Sequence, residues 1–351
     1  CVVLGLDGLP WTLARELCRA GNVPHLSAII DDSCAIQAEL PELSPVNWTS
    51  FATASGPEKH GVFGFTRLDP ESYALSLADS TWSSMPSIMD RLGDRGLVSK
   101  VINLPNTYPA APIHGMLVSG FVAPEMGRAV FPPFLRGPLE DAGYILEADT
   151  TRAAEDPASL LPQLYNTLAG RLKALDLMWP DLAWDFFCLV FTETDRLFHF
   201  LFDAVVDETH PLHAPCLDFL SAWDRAVGEF LLRYFALPEP KRLIVLADHG
   251  FAPLKTEVDI NVLLQDMGLL HLGPSVSSDP EYETSRILPE SKAFALDPAR
   301  IYIHTEHVFA RGRVSKMEKE GLIKKTRKKL LGLTFDGQLV MQDVLDGDTL
   351  Y

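Results

Sequence analysis

The chain has 351 residues, 47% of them apolar and 22% charged, with Gly and Pro scattered along it. This composition is that of a globular protein and excludes a disordered, collagen-like or coiled-coil chain; at ~150 residues per domain, the length fits two domains or one large α/β domain with insertions. The formal charge of −17 argues against binding a nucleic-acid polymer, but not against a small phosphorylated substrate, because bound divalent cations invert the local field.

Residues 1–6 (CVVLGL) form a continuous apolar run that ends in Asp7-Gly8. Such a run suits a strand buried on both faces of a parallel sheet. A helix pattern follows over 10–20, and Ser44-Pro45 opens a second helix through 54. Strand patterns occupy 97–104 and 115–122, with the loop 105–109 between them. Residues 157–177 read as a helix and 186–191 as a buried strand. A helix starts at 194, a long amphipathic one spans 217–235, and 243–247 is again a strand, ending in Asp248-His249-Gly250. Residues 316–333 form a basic helix, and the leucines interleaved with Lys324–Lys329 make it a solvated amphipathic one. Apolar strands alternating with helices predict an α/β fold with a doubly wound, mainly parallel sheet. No apolar run reaches the ~18 residues of a membrane span; the run at 182–191 is broken by Asp185. The five cysteines, Cys1, Cys18, Cys34, Cys188 and Cys216, are widely spaced, which argues against a disulfide scaffold and a Cys-rich zinc site.

The acids fall in a pattern. CVVLGLD, FCLVFTETD and LIVLADH are three apolar strands, each running into Asp at or just past its end. Ligands bind at the carboxyl edge of an open parallel sheet, so Asp7, Asp195 and Asp248 are expected to meet there. Three carboxylates repel one another unless cations sit among them. Asp195 and His199, four apart, share one helix face, and His249 adjoins Asp248. Imidazole with carboxylate suits Zn²⁺, Mn²⁺ or Fe. Ser44 is the expected N-cap, with Pro45 at the first helical position. A helix start offers free N–H groups and a positive dipole end to a phosphoryl group beside the serine hydroxyl, and Asn47, one turn on, carries an amide able to donate to a phosphoryl oxygen.

Several segments together resemble the alkaline phosphatase superfamily, in particular the bacterial members of its type I phosphodiesterase and nucleotide pyrophosphatase branch. They are Gly5-Leu6-Asp7-Gly8, SPVNWTSFATASGPEKHGVFGF from Ser44, INLPNTYPA from Ile102, MLVSGFVAP from Met116, TETDRLFHFLFD from Thr192 and LADHGF from Leu246. The resemblance implies a metal-dependent phosphohydrolase with two divalent ions, Zn²⁺ or Mn²⁺. Asp7, Ser44, Asp248 and His249 match the ligands of one ion, and Asp195 and His199 two of the three ligands of the other. Ser44 matches the nucleophile and Asn47 the phosphoryl-contacting residue; Thr49 lies too far inside its helix. The diesterases usually carry Thr where Ser44 stands, so phosphodiester, phosphomonoester and phosphonate substrates all stay open. Sulfatases need an Arg that SPVNW lacks, and a non-catalytic binding module is the remaining alternative. The resemblance also implies one domain over 1–351 with cap insertions at about 62–165 and 252–300. The third ligand of the Asp195/His199 ion is expected beyond Tyr351, in a chain trimmed at both ends, rather than at His304 or His307. The sequence as given shows no leader, which favours the cytoplasm.

Overall fold

The computed structural model describes residues 1–181, 183–275, 283–297 and 300–351. Residue 182, which opens the apolar run at 182–191, and parts of the stretch 252–300 lie outside them. The described residues form two compact units: residues 1–62 with 78–253, and residues 63–77 with 254–351.

The first unit holds a six-stranded sheet. Its strands are β1 (Val2–Leu6), β2 (Ser99–Leu104), β3 (Gly115–Ser119), β4 (Val130–Phe131), β5 (Phe186–Phe191) and β6 (Leu243–Leu246). Their order is β4-β3-β2-β5-β1-β6, parallel throughout except for the β3–β4 pair. Alternate residues of the apolar runs face opposite ways. Val2, Leu4, Leu6, Phe187, Leu189 and Phe191 pack with α1 (Trp11–Ala20), α3 (Leu160–Met178), α4 (Glu193–Val206) and α5 (His213–Phe235). Val3, Phe186, Cys188 and Val190 pack on the other face with Trp48 and Ala52 of α2 (Ser44–Thr53). Both faces are thus covered, as doubly wound architecture requires, and this is why the runs lack polar alternation.

Register sets the site. Leu6 pairs with Phe191, and Gly5 with both Val190 and Leu246. The three strands therefore end level, and Asp7, Asp195 and Asp248 follow at one edge. Where α3 ends, buried Lys100 on β2 extends its Nζ to the carbonyls of Met178 and Asp181, at 2.8 Å each. The cation satisfies a terminal helix carbonyl and lies at the negative end of the helix dipole.

The second unit builds its own core from Leu68, Tyr73, Leu264, Phe294, Phe309, Leu322 and Leu330. It contains a hairpin of Thr66–Leu68 with Leu75–Leu77, an antiparallel pair of Ala293–Asp297 with Arg300–Ile303, and the basic helix α6 (Lys316–Leu331). In α6, Leu322, Thr326 and Leu330 face inward while Lys324, Lys325, Lys328 and Lys329 are exposed, the solvated amphipathic pattern. The stretch 62–165, expected as one cap, divides: 63–77 goes to the second unit, while 78–165 carries three strands of the central sheet. β2 is buried along its whole length and paired on both sides, a place in the sheet and not in a cover. No helix among the described residues is long and apolar enough to cross a membrane.

Gly5 is where the sheet admits α2. A Cβ there would meet Trp48 Cη2 at 2.6 Å and the Val190 methyls at 2.9 and 3.0 Å. Trp48 is fully buried against this gap. Gly→Ala ordinarily stabilises by restricting the unfolded chain. Here Gly5→Ala is expected to destabilise by ~1–3 kcal/mol, the usual cost of overpacking a filled core, as read by denaturant unfolding.

Candidate active site

Each of the three acids is placed by a strand end and then held by a neighbour. Asp7, 2% exposed, accepts a hydrogen bond at Oδ1 from Trp48 Nε1 at 2.9 Å, and its backbone carbonyl accepts from Thr194 Oγ1 at 2.7 Å. Asp248 Oδ1 accepts from the Gly8 amide at 3.1 Å. Gly8 turns there with φ +67°, the left-handed conformation that glycine adopts without steric cost. A Cβ on it would also fall 2.9 Å from Asp195 Cα. Asp195 Oδ2 lies 3.5 Å from Arg196 Nη1. Arg196 in turn pairs with Glu147 at 3.3 Å and sits over the Phe121 ring at 4.1 Å.

The histidines close the cluster. His249 Nε2 lies 2.9 Å from Ser44 Oγ, 3.5 Å from Asp248 Oδ2 and 3.6 Å from Asp195 Oδ1. Its Nδ1 lies 3.1 Å from the Gly250 carbonyl. A carbonyl only accepts, so Nδ1 carries a proton, and Nε2 faces the serine and the acids. His199 Nε2 lies 3.4 Å from Asp195 Oδ1. Ligand atoms of Asp7, Asp195 and His249 all lie within 4.8 Å of one another.

Burial first, then Asp248 and Asp195, push the Asp7 carboxyl well above the usual carboxylate range, against the Trp48 N–H. Burial also pushes Asp195 upward, but His199, Arg196 and His249 outweigh it and hold that carboxyl low. Asp195 Oδ1 and Asp248 Oδ2 are buried and have no hydrogen-bond partner. Orphaned carboxylate oxygens beside an imidazole Nε2 form a donor set that a divalent cation satisfies. The residues therefore fit a metal centre. The two expected ligand groups adjoin, for Asp195 Oδ1 lies near both His199 and His249.

Two readings of α2 change. Ser44 is the first helical residue and not the N-cap; Leu43 is the cap, with extended backbone at φ −126° and ψ 140°. Its carbonyl takes the N–H groups of both Val46 and Asn47, at 3.0 Å each, and Pro45 has no N–H. The helix start thus does not present the expected row of free donors, while the Ser44 hydroxyl, released from capping, turns to His249. Asn47 is buried with its Oδ1 accepting from the Glu39 amide at 2.7 Å and its Nδ2 reaching the carbonyls of Leu43 and Glu39 at 3.2 and 3.4 Å. Its side chain ties down the segment that leads into Ser44. Thr49 is buried and accepts from Asn106 Nδ2 at 2.7 Å, engaged away from the cluster. Outside the site, His304 has both nitrogens occupied inside the second unit, Nδ1 by the Ser291 carbonyl at 2.8 Å and Nε2 by the Tyr73 hydroxyl, and His307 is exposed.

Trp48, Gly8, Thr194 and Arg196 were not among the expected site residues. Trp48 had a signal, since it stands four residues after Ser44 and so on the same helix face. Arg196 had only its adjacency to Asp195.

The family model for type I phosphodiesterase/nucleotide pyrophosphatase matches residues 1–332. Among solved structures, the chain is similar to phosphonoacetate hydrolase from Sinorhizobium meliloti 1021 in complex with phosphonoformate, at TM-score 0.52 and 17% identity over 80% of this chain. It spans 65% of that hydrolase's length. A murine ectonucleotide pyrophosphatase/phosphodiesterase 5, inactive and in complex with AMP, matches at TM-score 0.43 and 17% identity, over 71% of this chain and 56% of that one. No curated protein matches the chain. The structural likeness concerns the fold; the match of residues 1–332, which contains all three strand-end acids, Ser44 and both histidines, goes further. The chain belongs to the type I phosphodiesterase/nucleotide pyrophosphatase family.

Proposed function

We propose that this chain is a metal-dependent phosphohydrolase in which Ser44 is the nucleophile. The observation that carries the reading is the Ser44 hydroxyl 2.9 Å from His249 Nε2, beside carboxylates with orphaned oxygens. A Ser-His-Asp hydrolase is the natural rival, and the imidazole argues against it. In such a triad the acid orients Nδ1, opposite the serine. Here Asp195 and Asp248 crowd the same Nε2 that meets Ser44, and Nδ1 turns to a backbone carbonyl. Acids, serine and Nε2 converging on one point suit a cation between them.

In this reading Asp7, Ser44, Asp248 and His249 hold one divalent ion, and Asp195 with His199 contributes to a second. When bound, Zn²⁺ or Mn²⁺ neutralises the carboxylates, lowers the pKa of the serine hydroxyl and stabilises charge on the phosphoryl oxygens. Ser44 Oγ, as alkoxide, forms a bond to phosphorus in line with the leaving oxygen, whose bond to phosphorus breaks. The leaving group departs with the electron pair and takes up a proton from water. A second water then adds to the phosphoserine from the opposite side; its oxygen stays on phosphorus, and a proton returns to Ser44. Asn47 holds the segment Glu39–Leu43 that fixes the approach of Ser44, and its long Nδ2 contacts leave that amide able to turn to a phosphoryl oxygen. The substrate is a small phosphorylated molecule, with a phosphodiester or nucleotide pyrophosphate favoured by the family; phosphomonoesters and phosphonates are the alternatives. A panel of chromogenic phosphodiester, phosphomonoester and phosphonate, run with Zn²⁺ and with Mn²⁺, tests the class. Failure to turn over any of them with either ion would leave a binding module.

Ser44→Ala is expected to lower turnover by at least about a thousandfold, as loss of an activated serine does elsewhere. Because Ser44 does not cap its helix, the same change is expected to cost no more than ~1 kcal/mol of stability, the worth of one hydrogen bond. Turnover kinetics and denaturant unfolding on the same preparation check both.

Asp7→Asn separates charge from shape, since its Oδ1 still accepts from Trp48. Stripped of metal at neutral pH, where the raised Asp7 carboxyl must otherwise be held as a buried anion beside Asp195 and Asp248, this variant is expected to be more stable than the parent. Adding Zn²⁺ is expected to raise the unfolding temperature of the parent and not of the variant. Thermal unfolding with chelator and with metal distinguishes the two effects.

A further inference from the structure

Phe251 offers no ligand atom, yet both imidazoles of the site lean on it. Its ring centre lies 4.9 Å from that of His199, nearly perpendicular at 86°, and 5.4 Å from that of His249 at 57°. Phe198 at 5.8 Å and Phe202 at 6.3 Å pack against it as well. Gly8 closes on it too, for a Cβ there would fall 2.7 Å from Phe251 Cε2. The ring is thus wedged among two other phenyl rings, a turn with no side chain and the two histidines. The other restraints on the two histidines differ: His249 Nε2 also meets the Ser44 hydroxyl at 2.9 Å and faces Asp248 and Asp195, whereas His199 has fewer. The His199 side chain is 50% exposed, with Asp195 as its polar contact at 3.4 Å, and the Nδ1 of His249 rests on the carbonyl of its own chain neighbour.

We infer that Phe251 is the positioning residue of the metal centre. Its ring meets the His199 imidazole edge-to-face and that of His249 at a tilt, and edge-to-face contact has a preferred geometry that plain apolar packing lacks. That contact holds His199 and His249 so that their Nε2 atoms point toward Asp195 and Ser44. It also keeps one wall of the site apolar, which limits competition from water for the ligands. The inference rests on the reading of this site as a metal centre and goes beyond it by assigning ligand orientation to a residue that cannot bind the ion.

The test is Co²⁺ binding by the full chain, read by chelator competition and by the visible d–d absorption of the bound ion, so that no turnover is needed. Phe251→Leu keeps apolar volume and removes the ring, and Phe251→Ala removes both. Phe202→Leu loosens the same apolar cluster without touching either imidazole. Thermal unfolding of the metal-free proteins identifies the folded variants, and Phe251→Leu decides if Phe251→Ala does not fold. Phe251→Leu is expected to weaken Co²⁺ binding by about 10–100-fold, as loss of a ligand-orienting neighbour does, and to shift the absorption band, while Phe202→Leu leaves both unchanged. Parental affinity and spectrum in Phe251→Leu would overturn the inference. So would an equal loss in Phe202→Leu, which would reduce Phe251 to one more core residue. Failure of the parent itself to bind Co²⁺ overturns the metal-centre reading, a result distinct from the other two.

Discussion

Asp7, Asp195 and Asp248 are held together in a poorly solvated recess, and the register of three parallel strands leaves them no room to separate. The register is fixed by apolar packing on both sheet faces, where a slip of one residue would turn every side chain of a strand to the opposite face. Repulsion among the acids therefore cannot relax through the backbone. It is met locally instead, by the Trp48 N–H on Asp7, the Gly8 amide on Asp248 and Arg196 on Asp195. Those contacts leave one oxygen each on Asp195 and Asp248 unsatisfied, and the stiffness of the sheet aims both at one place. A folded core of this kind converts packing energy into a site with a standing demand for positive charge.

The same constraint explains what the sequence made legible. Apolar runs without alternation announce a sheet covered on both faces, and an acid just past the end of such a run lands at the ligand-binding edge whatever the connections between strands. Asp7, Asp195, Asp248 and the neighbouring His249 were readable on that ground alone. The helix start singles out Ser44, but not as a cap. Ser-Pro reads as cap and first residue by preference, but the extended Leu43 moved the boundary one residue back, and propensity does not resolve one residue. Asn47 shows another limit. An amide one turn past a helix start reads as a ligand contact, but its Oδ1 bond to the Glu39 amide, eight residues back, shows only once the chain has folded.

Contacts distant in sequence were the least readable part. Nothing local marks Gly5 as the gap into which Trp48 fits, because the two meet only once α2 lies on the sheet. The division of the chain was hidden for a similar reason. The hairpin that includes Thr66–Leu68 and Leu75–Leu77 is a small polar excursion in sequence, and its association with residues 254–351 depends on burying Leu68 and Tyr73 beside Phe294 and Phe309. Length and composition cannot show that a short early segment belongs to a core assembled from the end of the chain.

The strand that delivers Asp248 and His249 differs from the two that deliver the other acids. β1 and β5 are each paired on both sides and fully buried, whereas β6 is the last strand of the sheet among the described residues, with four residues and Ile244 41% exposed. Amide exchange tracks such differences, since edge backbone opens by local fluctuation while central backbone exchanges mainly through global unfolding. The recess is therefore lined on one side by the most protected part of the sheet and on the other by one of its least protected. Any ligand that grips Asp7 and Asp248 together ties an edge strand to a central one. By linkage, occupancy of the recess is expected to slow amide exchange along β6 more than along β1.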